Sequence, residues 1–301
     1  MIEYKEKPDT QKKVQSIFHP HVKKWVKQKF GSLIESQLFS VMEIHSRNNI
    51  LLSAPTGCGK TLASSLSIIN ELVDSAEKGI LEDKIYAVYI NPLKALSRDI
   101  DVNLNGPLQE INKIAGKDLG IRIQARTGDT TTKEKGKMLK TPPHILVLTP
   151  ESLAILLASP KFVEHLKDVQ WCIVDEIHAL VENKRGTYLS LTLERLQQYS
   201  PGMCRVGLSA TVSPLEEVAK FLVGPTRDCK ICDVSFVKKL DLKVVSPVDD
   251  LINTTYEEVT KKTYELIDKY IQEHKTTLIF TNTRSATERM VHYLKEKFPN
   301  N

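Results

Sequence analysis

The sequence predicts an α/β fold in which helices cover both faces of a parallel β-sheet. Three observations support this prediction. Apolar, β-rich runs alternate with amphipathic stretches, nearly every run ends in a polar or glycine-rich cluster, and no internal repeat or low-complexity tract interrupts the order. The runs are "NILLSA", "KIYAVYINP", "GIRIQAR", "HILVLTP", "WCIVDE" and "CRVGLSA".

The stretches between the runs have the period of amphipathic helices. Residues 61–73 place leucine, isoleucine and valine on one face, and residues 189–198 do the same with three leucines. A helix start is predicted at "SPLE", with Ser213 as N-cap, Pro214 as the first helical residue and Glu216 completing a capping box.

The composition is that of a globular protein with no membrane span. The 301 residues are 41% hydrophobic and 26% charged, and the net charge of +5 is compatible with a polyanionic partner. No apolar run approaches the ~18 residues of a transmembrane helix, and the chain does not start with an apolar signal region. Five cysteines imply no disulfide framework, so a cytoplasmic location is expected.

The Cys-x-x-Cys pair "CKIC" has two interpretations. A zinc or redox site would use Cys229 and Cys232, but no second pair or His-x-His motif lies nearby. We therefore favour a short strand that runs to Val234.

Two domains of unequal size are expected. The first α/β unit covers residues 1–235. Residues 236–301 contain a possible strand in "LKVVSPVDDL", a helix at about 256–274, the strand "TTLIFT" and a last helix. About 65 residues bury little core, so this segment is interpreted as the beginning of a truncated second domain.

Polar clusters follow the strands throughout the sequence. In an open parallel sheet, the carboxyl ends of the strands share one edge, where ligands bind. The clusters should therefore form one site. They are "SAPTGCGKT", "NPLKALS", "RTGDT", "TPESL", "DEIHAL", "SAT" and "TNTRS".

The first cluster matches the phosphate-loop pattern G-x-x-x-x-G-K-[ST], with alanine at its first position. Glycines let backbone N–H groups approach an oxyanion at the start of a helix. Lys60 should reach the β- and γ-phosphates of ATP, and the Thr61 hydroxyl should coordinate Mg²⁺. The candidate nucleotide-binding residues are Ala54, Pro55, Thr56, Gly57, Cys58, Gly59, Lys60 and Thr61.

Two adjacent acids end the strand in "WCIVDEIHAL". Asp175 can hold Mg²⁺, and Glu176 can orient and deprotonate the water that attacks the γ-phosphate. The alternative is that both acids only cap the next helix. His178 alone is more often a structural histidine, but hydroxyls of Ser209 and Thr211 could bond its ring.

The order of these motifs closely resembles the superfamily-two helicases. "IVDEIHAL" followed by "KRG" and "GLSATVSPLEEVAKFL" is similar to the large-helicase-related group, and so is "HPHVKKWVKQKFGSLIESQ". The resemblance covers residues 19 to about 293. It implies two RecA-like domains of the P-loop NTPase class that clamp ATP and move along a single strand, usually 3′ to 5′.

The resemblance also implies roles for individual residues. Gln37 would read the adenine, while His178, Ser209, Ala210 and Thr211 would couple hydrolysis to strand movement. Hydroxyls, lysines and helix N-termini bind phosphates without reading sequence, and no row of aromatic residues suggests base stacking. The implied strand contacts are Pro92, Lys94, Arg126, Thr127, Gly128, Asp129, Thr149, Pro150 and Glu151, with Thr281, Asn282 and Arg284 from the second domain.

The sequence ends shortly after "TNTRS", before the last two motifs of the family and their arginines. We therefore expect a fragment or split-gene product that needs the C-terminal helicase half, in cis or in trans. Single-stranded DNA is the expected substrate. Two alternatives remain open: an RNA helicase, or a nucleotide-dependent nucleic-acid-binding module that does not hydrolyse ATP.

Overall fold

The computed structural model describes residues 1–92, 101–128, 130–234 and 241–297. The chain forms two compact units, Met1–Lys239 and Leu240–Asn301.

The first unit is built on a parallel sheet, which confirms the predicted fold class. Over the described ranges the sheet has eight strands in the order β1-β8-β2-β7-β6-β3-β5-β4, and every neighbouring pair is parallel. The strands are β1 (Ile2–Tyr4), β2 (Ile50–Ser53), β3 (Ala87–Ile90), β4 (Ile123–Arg126), β5 (Ile145–Leu148), β6 (Trp171–Val174), β7 (Cys204–Ser209) and β8 (Cys229–Asp233).

Helices connect the strands. A π-helical turn covers Asp101–Asn105 and a 3₁₀ turn covers Glu164–Leu166. The described α-helices of the first unit are α1 (Gln11–Ser16), α2 (Pro20–Phe30), α3 (Glu35–His45), α4 (Lys60–Glu77), α5 (Gly106–Ala115), α6 (Thr132–Lys140), α7 (Pro150–Leu157), α8 (Pro160–Val163), α9 (His178–Val181), α10 (Lys184–Tyr199) and α11 (Leu215–Val223).

The central strands are buried on both faces, which explains their continuous apolar sequences. All four residues of β6 are buried, and they alternate between two hydrophobic cores. Trp171 and Ile173 pack into one core, while Cys172 and Val174 pack into the other on the opposite face. The sheet is therefore the middle layer of a three-layer domain.

Two local predictions at the N-terminus of α11 and in β8 have opposite outcomes. Helix α11 begins only at Leu215 because Pro214 is its extended N-cap residue, and no side chain caps this helix. The predicted capping box at Ser213 is therefore wrong. The strand predicted for "CKIC" is confirmed as β8, where burial raises the pKa of both Cys229 and Cys232 to about 12.

The second unit is helical over its described residues. Helices α12 (Tyr256–Glu273) and α13 (Arg284–Lys297) are joined by stacked Tyr264 and Tyr293 rings, with centroids 4.3 Å apart. The strands predicted in "LKVVSPVDDL" and "TTLIFT" are wrong here, since neither segment is paired in a sheet. A strand needs the backbone of a neighbour for its hydrogen bonds, and the described residues of this unit provide none. The predicted domain boundary stays a prediction.

Within the described part of the chain, no helix is both long and apolar enough to cross a membrane.

Gly186 allows α9 and α10 to pack at unusually short range. A Cβ atom at this position would lie 1.9 Å from the Leu180 carbonyl oxygen. Gly186→Ala should therefore lower the free energy of unfolding by about 2 kcal/mol or more, because backbone must move to accept the methyl group.

Gly136→Ala is the matched control, since Gly136 also lies in a helix but has open space around its Cα. It should raise the free energy of unfolding by about 0.5–1 kcal/mol. Urea unfolding of both variants measures the difference. Equal midpoints would contradict the packing argument.

Candidate functional site

The motif-bearing loops of the first unit lie at one edge of the sheet, as the sequence predicts. Because the strands are parallel, the segments that follow β2, β7, β6, β3, β5 and β4 all leave from the same edge. β7 separates the loop after β2 from the acids after β6, and β3 lies on the other side of β6.

The glycines of the loop between β2 and α4 adopt the backbone conformations that the sequence suggests. Gly57 has φ +83° and Gly59 has φ +65°, both in the left-handed region that favours glycine. Helix α4 begins at Lys60, whose buried ammonium donates to the carbonyl oxygens of Ala54 at 2.7 Å and Pro55 at 3.1 Å. The loop thus curls around the lysine at the positive end of a helix.

The start of α3 packs against this loop. The Ser36 hydroxyl donates to the Cys58 carbonyl at 2.6 Å. Gln37 is buried, and its side-chain oxygen accepts from the Ile34 N–H at 3.0 Å. A Cβ added at Gly59 would lie 4.0 Å from Gln37 Nε2, so the amide is adjacent to the loop. Its role in reading adenine stays a prediction.

Asp175 is a buried carboxylate, only 8% exposed, with a donor on each oxygen. Tyr89 donates its phenolic hydrogen to Oδ2 at 2.5 Å, and the Glu176 N–H donates to Oδ1 at 2.9 Å. Burial raises the pKa of Asp175, and the neighbouring Glu176 adds to the rise. The Tyr89 bond and the positive charge of Lys60 oppose it.

Tyr89 lies near both the phosphate loop and the acids. Burial and the Asp175 carboxylate raise the pKa of Tyr89 well above its usual value, and the nearby Thr61 side chain opposes this rise. The phenol of Tyr89, on β3, therefore bonds Asp175 and lies near Thr61 of the phosphate loop. Thr61, Asp175 and the nearby Lys60 lie in one place, as the predicted metal and phosphate roles require.

His178 links Glu176 to the strand end of β7. Its Nδ1 accepts from the Ala210 N–H at 3.1 Å, so the hydrogen is on Nε2, which lies 3.2 Å from a carboxylate oxygen of Glu176. Glu176 itself has φ +48°, a left-handed conformation that is rare for a side-chain-bearing residue. The Ser209 hydroxyl is buried without a partner among the described residues, and Thr211 is exposed.

The predicted strand contacts of the first unit lie along the ends of β3, β4 and β5. Thr149 caps α7 by accepting from the Ser152 N–H at 3.3 Å, and the buried Pro150 is the first residue of that helix. The Thr127 N–H donates to Thr130 Oγ1 at 2.9 Å, next to Gly128. The Arg126 guanidinium lies 4.8 Å from the Phe162 ring centroid.

The remaining predicted contacts fall into three groups. Lys94 and Asp129 lie outside the described residues. Glu151 is paired with another side chain, because its carboxylate accepts a hydrogen bond from Arg185 Nε at 2.7 Å. The second-unit residues Thr281, Asn282 and Arg284 are at the start of α13, where the Thr281 hydroxyl bonds that of Thr287 at 2.6 Å.

The metal prediction is compatible with the donors present. No group of three or more His, Cys, Asp or Glu side chains within the described ranges could hold a metal. Mg²⁺ does not need such a cluster, since it binds through one or two carboxylates and keeps several waters. The Thr61 hydroxyl and the buried Asp175 carboxylate, which both lie near the Tyr89 phenol, fit that requirement.

A family comparison agrees with this geometry. The model of the DEAD/DEAH box helicase family matches residues 34–221, more than half of the chain. The chain belongs to the DEAD/DEAH box helicases.

Several relatives of this helicase chain confirm the resemblance to the large-helicase-related group. It is 51% identical over 306 residues to the ATP-dependent helicase Lhr-Core of Methanothermobacter thermautotrophicus and 52% identical over 300 residues to Lhr-Core of Methanocaldococcus jannaschii. These alignments cover 99% and 98% of this chain but 36% and 35% of the relatives. The chain thus spans about a third of their length.

A solved structure confirms the RecA-like helicase fold. Mycobacterium smegmatis Lhr bound to single-stranded DNA and AMP-PNP superposes with a TM-score of 0.79 and 36% sequence identity. The match covers 94% of this chain and 36% of the other.

Sequence reasoning missed three residues of the site. Tyr89 lies within the apolar run "AVYI" and could not be distinguished from an ordinary core residue. Ser36 is adjacent to Gln37 but matches no motif used above. Arg185 belongs to the "KRG" segment that carried the family resemblance, yet nothing in that segment predicts its contact with Glu151.

Tyr89→Phe tests whether the phenol stabilises the buried carboxylate. Loss of the hydroxyl leaves Asp175 with fewer donors in a desolvated position, so the free energy of unfolding should fall by about 1–3 kcal/mol at pH 7. Urea unfolding measures this change.

The control is the same substitution in an Asp175→Asn background. An amide carries no charge, so the cost of Tyr89→Phe should shrink there by about 1 kcal/mol or more. An identical cost in the two backgrounds would show that the phenol does not act through the carboxylate.

Proposed function

We propose that this chain is the ATP-binding part of a helicase that hydrolyses ATP to move along single-stranded DNA, in the 3′ to 5′ direction. The observation that supports this most directly is the Tyr89 phenol, which bonds Asp175 at 2.5 Å and lies near Thr61 of the phosphate loop. The phosphate loop and the paired acids meet there, as they must in an ATP hydrolase. The names of the relatives support the same activity.

The phosphate loop supplies the binding of ATP. Backbone N–H groups near Gly57 and Gly59 would bind the phosphates, and Lys60 would exchange its bonds to loop carbonyls for bonds to phosphate oxygens. Thr61 and Asp175 would hold Mg²⁺, which neutralises phosphate charge when bound. Gln37 is proposed to bond the adenine, next to the loop.

Glu176 is the proposed general base. Its carboxylate is about one-third exposed, so it can reach a water molecule, and it is held by the Nε2–H of His178. The same imidazole accepts from Ala210, which lies between Ser209 and Thr211. A shift of Glu176 during hydrolysis would therefore be transmitted through His178 to the end of β7. This is the proposed coupling of hydrolysis to movement of the nucleic-acid strand.

Single-stranded DNA is favoured over RNA by one specific comparison. Lhr of Mycobacterium smegmatis, at 36% identity, has been solved with single-stranded DNA. The proposed contacts are those predicted from sequence, from Pro92 to Glu151, with Thr281, Asn282 and Arg284 from the second unit. Lys94 and Asp129 are included in this proposal on sequence grounds alone.

The second unit is proposed to be the beginning of a second RecA-like domain, starting near residue 236. Its described residues include exposed apolar side chains, Leu278 at 77% and Phe280 at 86%, within the segment that the sequence predicts to be a strand. The C-terminal helicase half, in cis or in trans, would cover these side chains and provide catalytic arginines. A reducing cytoplasm suits the free thiols.

The second candidate is a nucleotide-dependent DNA-binding module that does not hydrolyse ATP. This candidate is favoured by the second unit, which contains no sheet over its described residues. In this candidate, the phosphate loop of the first unit binds ATP, but no arginine is supplied to the γ-phosphate.

Two substitutions test the proposed roles through ATP turnover and nucleotide affinity. Glu176→Gln should leave ATP affinity within about twofold but reduce turnover at least ~100-fold, because the base is lost while the phosphate loop is intact. Lys60→Ala should weaken ATP binding itself. Both are measured with single-stranded DNA, with and without an added C-terminal segment.

Glu182→Gln is the control, since this exposed glutamate ends α9 outside the site. Turnover in Glu176→Gln equal to that of Glu182→Gln would contradict the assigned role. Turnover that stays absent in the unmodified chain even with the added segment would favour the module that does not hydrolyse ATP.

A further inference from the structure

Arg185 connects two segments that are proposed to contact the nucleic-acid strand. Its Nε donates to Glu151 Oε1 at 2.7 Å, in the first turn of α7, and its Nη2 donates to the Pro92 carbonyl at 3.0 Å, just after β3. Strands β3 and β5, which lead into these segments, are neighbours in the sheet. One guanidinium therefore spans the gap between two loops at the binding edge.

The chemistry of Glu151 points to a supporting role for this carboxylate. An ionised carboxylate and a strand phosphate are both negatively charged acceptors, so they repel each other, and the proposed contact of Glu151 with the strand would use its backbone N–H. The bond from Arg185 lowers the pKa of Glu151 and keeps it ionised. Its oxygen is thus engaged with arginine at the surface where the strand is proposed to bind.

The pair is too exposed to be an important source of folding stability. The Arg185 and Glu151 side chains are 46% and 48% exposed, and ion pairs of this kind contribute little to stability. The contribution of Arg185 is geometric, because a planar guanidinium holds two hydrogen-bond acceptors at fixed angles to each other. A lysine, with one freely rotating ammonium, cannot do this.

The backbone that carries Arg185 is itself firmly held. The next residue, Gly186, packs against the Leu180 carbonyl too closely for any side chain. The Asn183 side chain caps α10 by accepting from the Gly186 N–H at 3.1 Å. The guanidinium therefore extends from a fixed point on the segment that follows the paired acids.

We propose that Arg185 is a positioning residue for strand binding, which holds the Pro92 segment and the first turn of α7 at a fixed separation. Glu151 serves as the acceptor that orients its guanidinium. This inference rests on the proposed single-strand binding, and it adds a residue outside the motif set to that surface.

The test is a double-mutant cycle on affinity for an oligothymidine, measured by fluorescence anisotropy at several salt concentrations. Arg185→Ala and Glu151→Ala should each weaken binding about 5–10-fold, and the double variant should lose no more than either single variant. The slope of log affinity against log salt should stay unchanged, since no phosphate contact is removed. Arg185→Lys should not restore the affinity.

Lys184→Ala is the matched control, because it removes the adjacent exposed positive charge of the same helix. It should change affinity less than twofold. Thermal midpoints of all variants should agree within about 2 °C, which separates positioning from folding.

Two results would overturn the proposal. One is no loss of affinity in Arg185→Ala. The other is a salt slope reduced by about 0.7 in Arg185→Ala together with tighter binding in Glu151→Ala, which would make Arg185 a direct phosphate ligand.

A readout without DNA separates this inference from the proposed function. Amide hydrogen exchange in residues 150–157 of the DNA-free chain should be faster in Arg185→Ala than in Lys184→Ala. Equal exchange in the two variants overturns the positioning role. If the unmodified chain fails to bind DNA, the proposed function is contradicted instead. The amide hydrogen exchange rates then still decide whether the contacts of Arg185 hold α7 in place.

Discussion

The buried carboxylate of Asp175 is the interaction on which the arrangement of the site depends. A charge that is 8% exposed is costly unless donors surround it. The donors come from Tyr89 on β3 and from the backbone of Glu176, while Lys60 at the start of α4 provides a favourable positive charge. The strand order β2-β7-β6-β3 is what brings these groups within reach of one carboxylate.

The same carboxylate explains the unusual backbone beside it. Glu176 adopts a left-handed conformation while its N–H bonds the preceding side chain, and the turn directs its own carboxylate to His178. Such a conformation costs of order 1 kcal/mol or more and persists only when its surroundings hold it. Here the conformation is held by the bond of the Glu176 N–H to Asp175 and by the contact of its carboxylate with His178, and Glu176 is also the proposed general base. Strain and proposed function therefore coincide in one residue.

The sequence predicted what depends on local pattern and missed what depends on neighbours. The strands, the phosphate loop and the paired acids follow from apolar runs and from the rule that parallel strands share a carboxyl edge. Tyr89 could not be found this way, because its hydroxyl matters only once β3 lies beside β6. The strand at 276–281 was wrong for the converse reason, since the residues suit a strand but the described unit has no partner for it.

Buried and exposed polar pairs perform different work in this molecule. The bond between Tyr89 and Asp175 is buried, so its removal should change stability. The bond between Arg185 and Glu151 competes with water, so its removal changes position more than stability. The two are connected through α9, which begins at His178 and packs tightly on Gly186. The buried acid and the exposed arginine therefore lie next to segments of the chain that pack closely against each other.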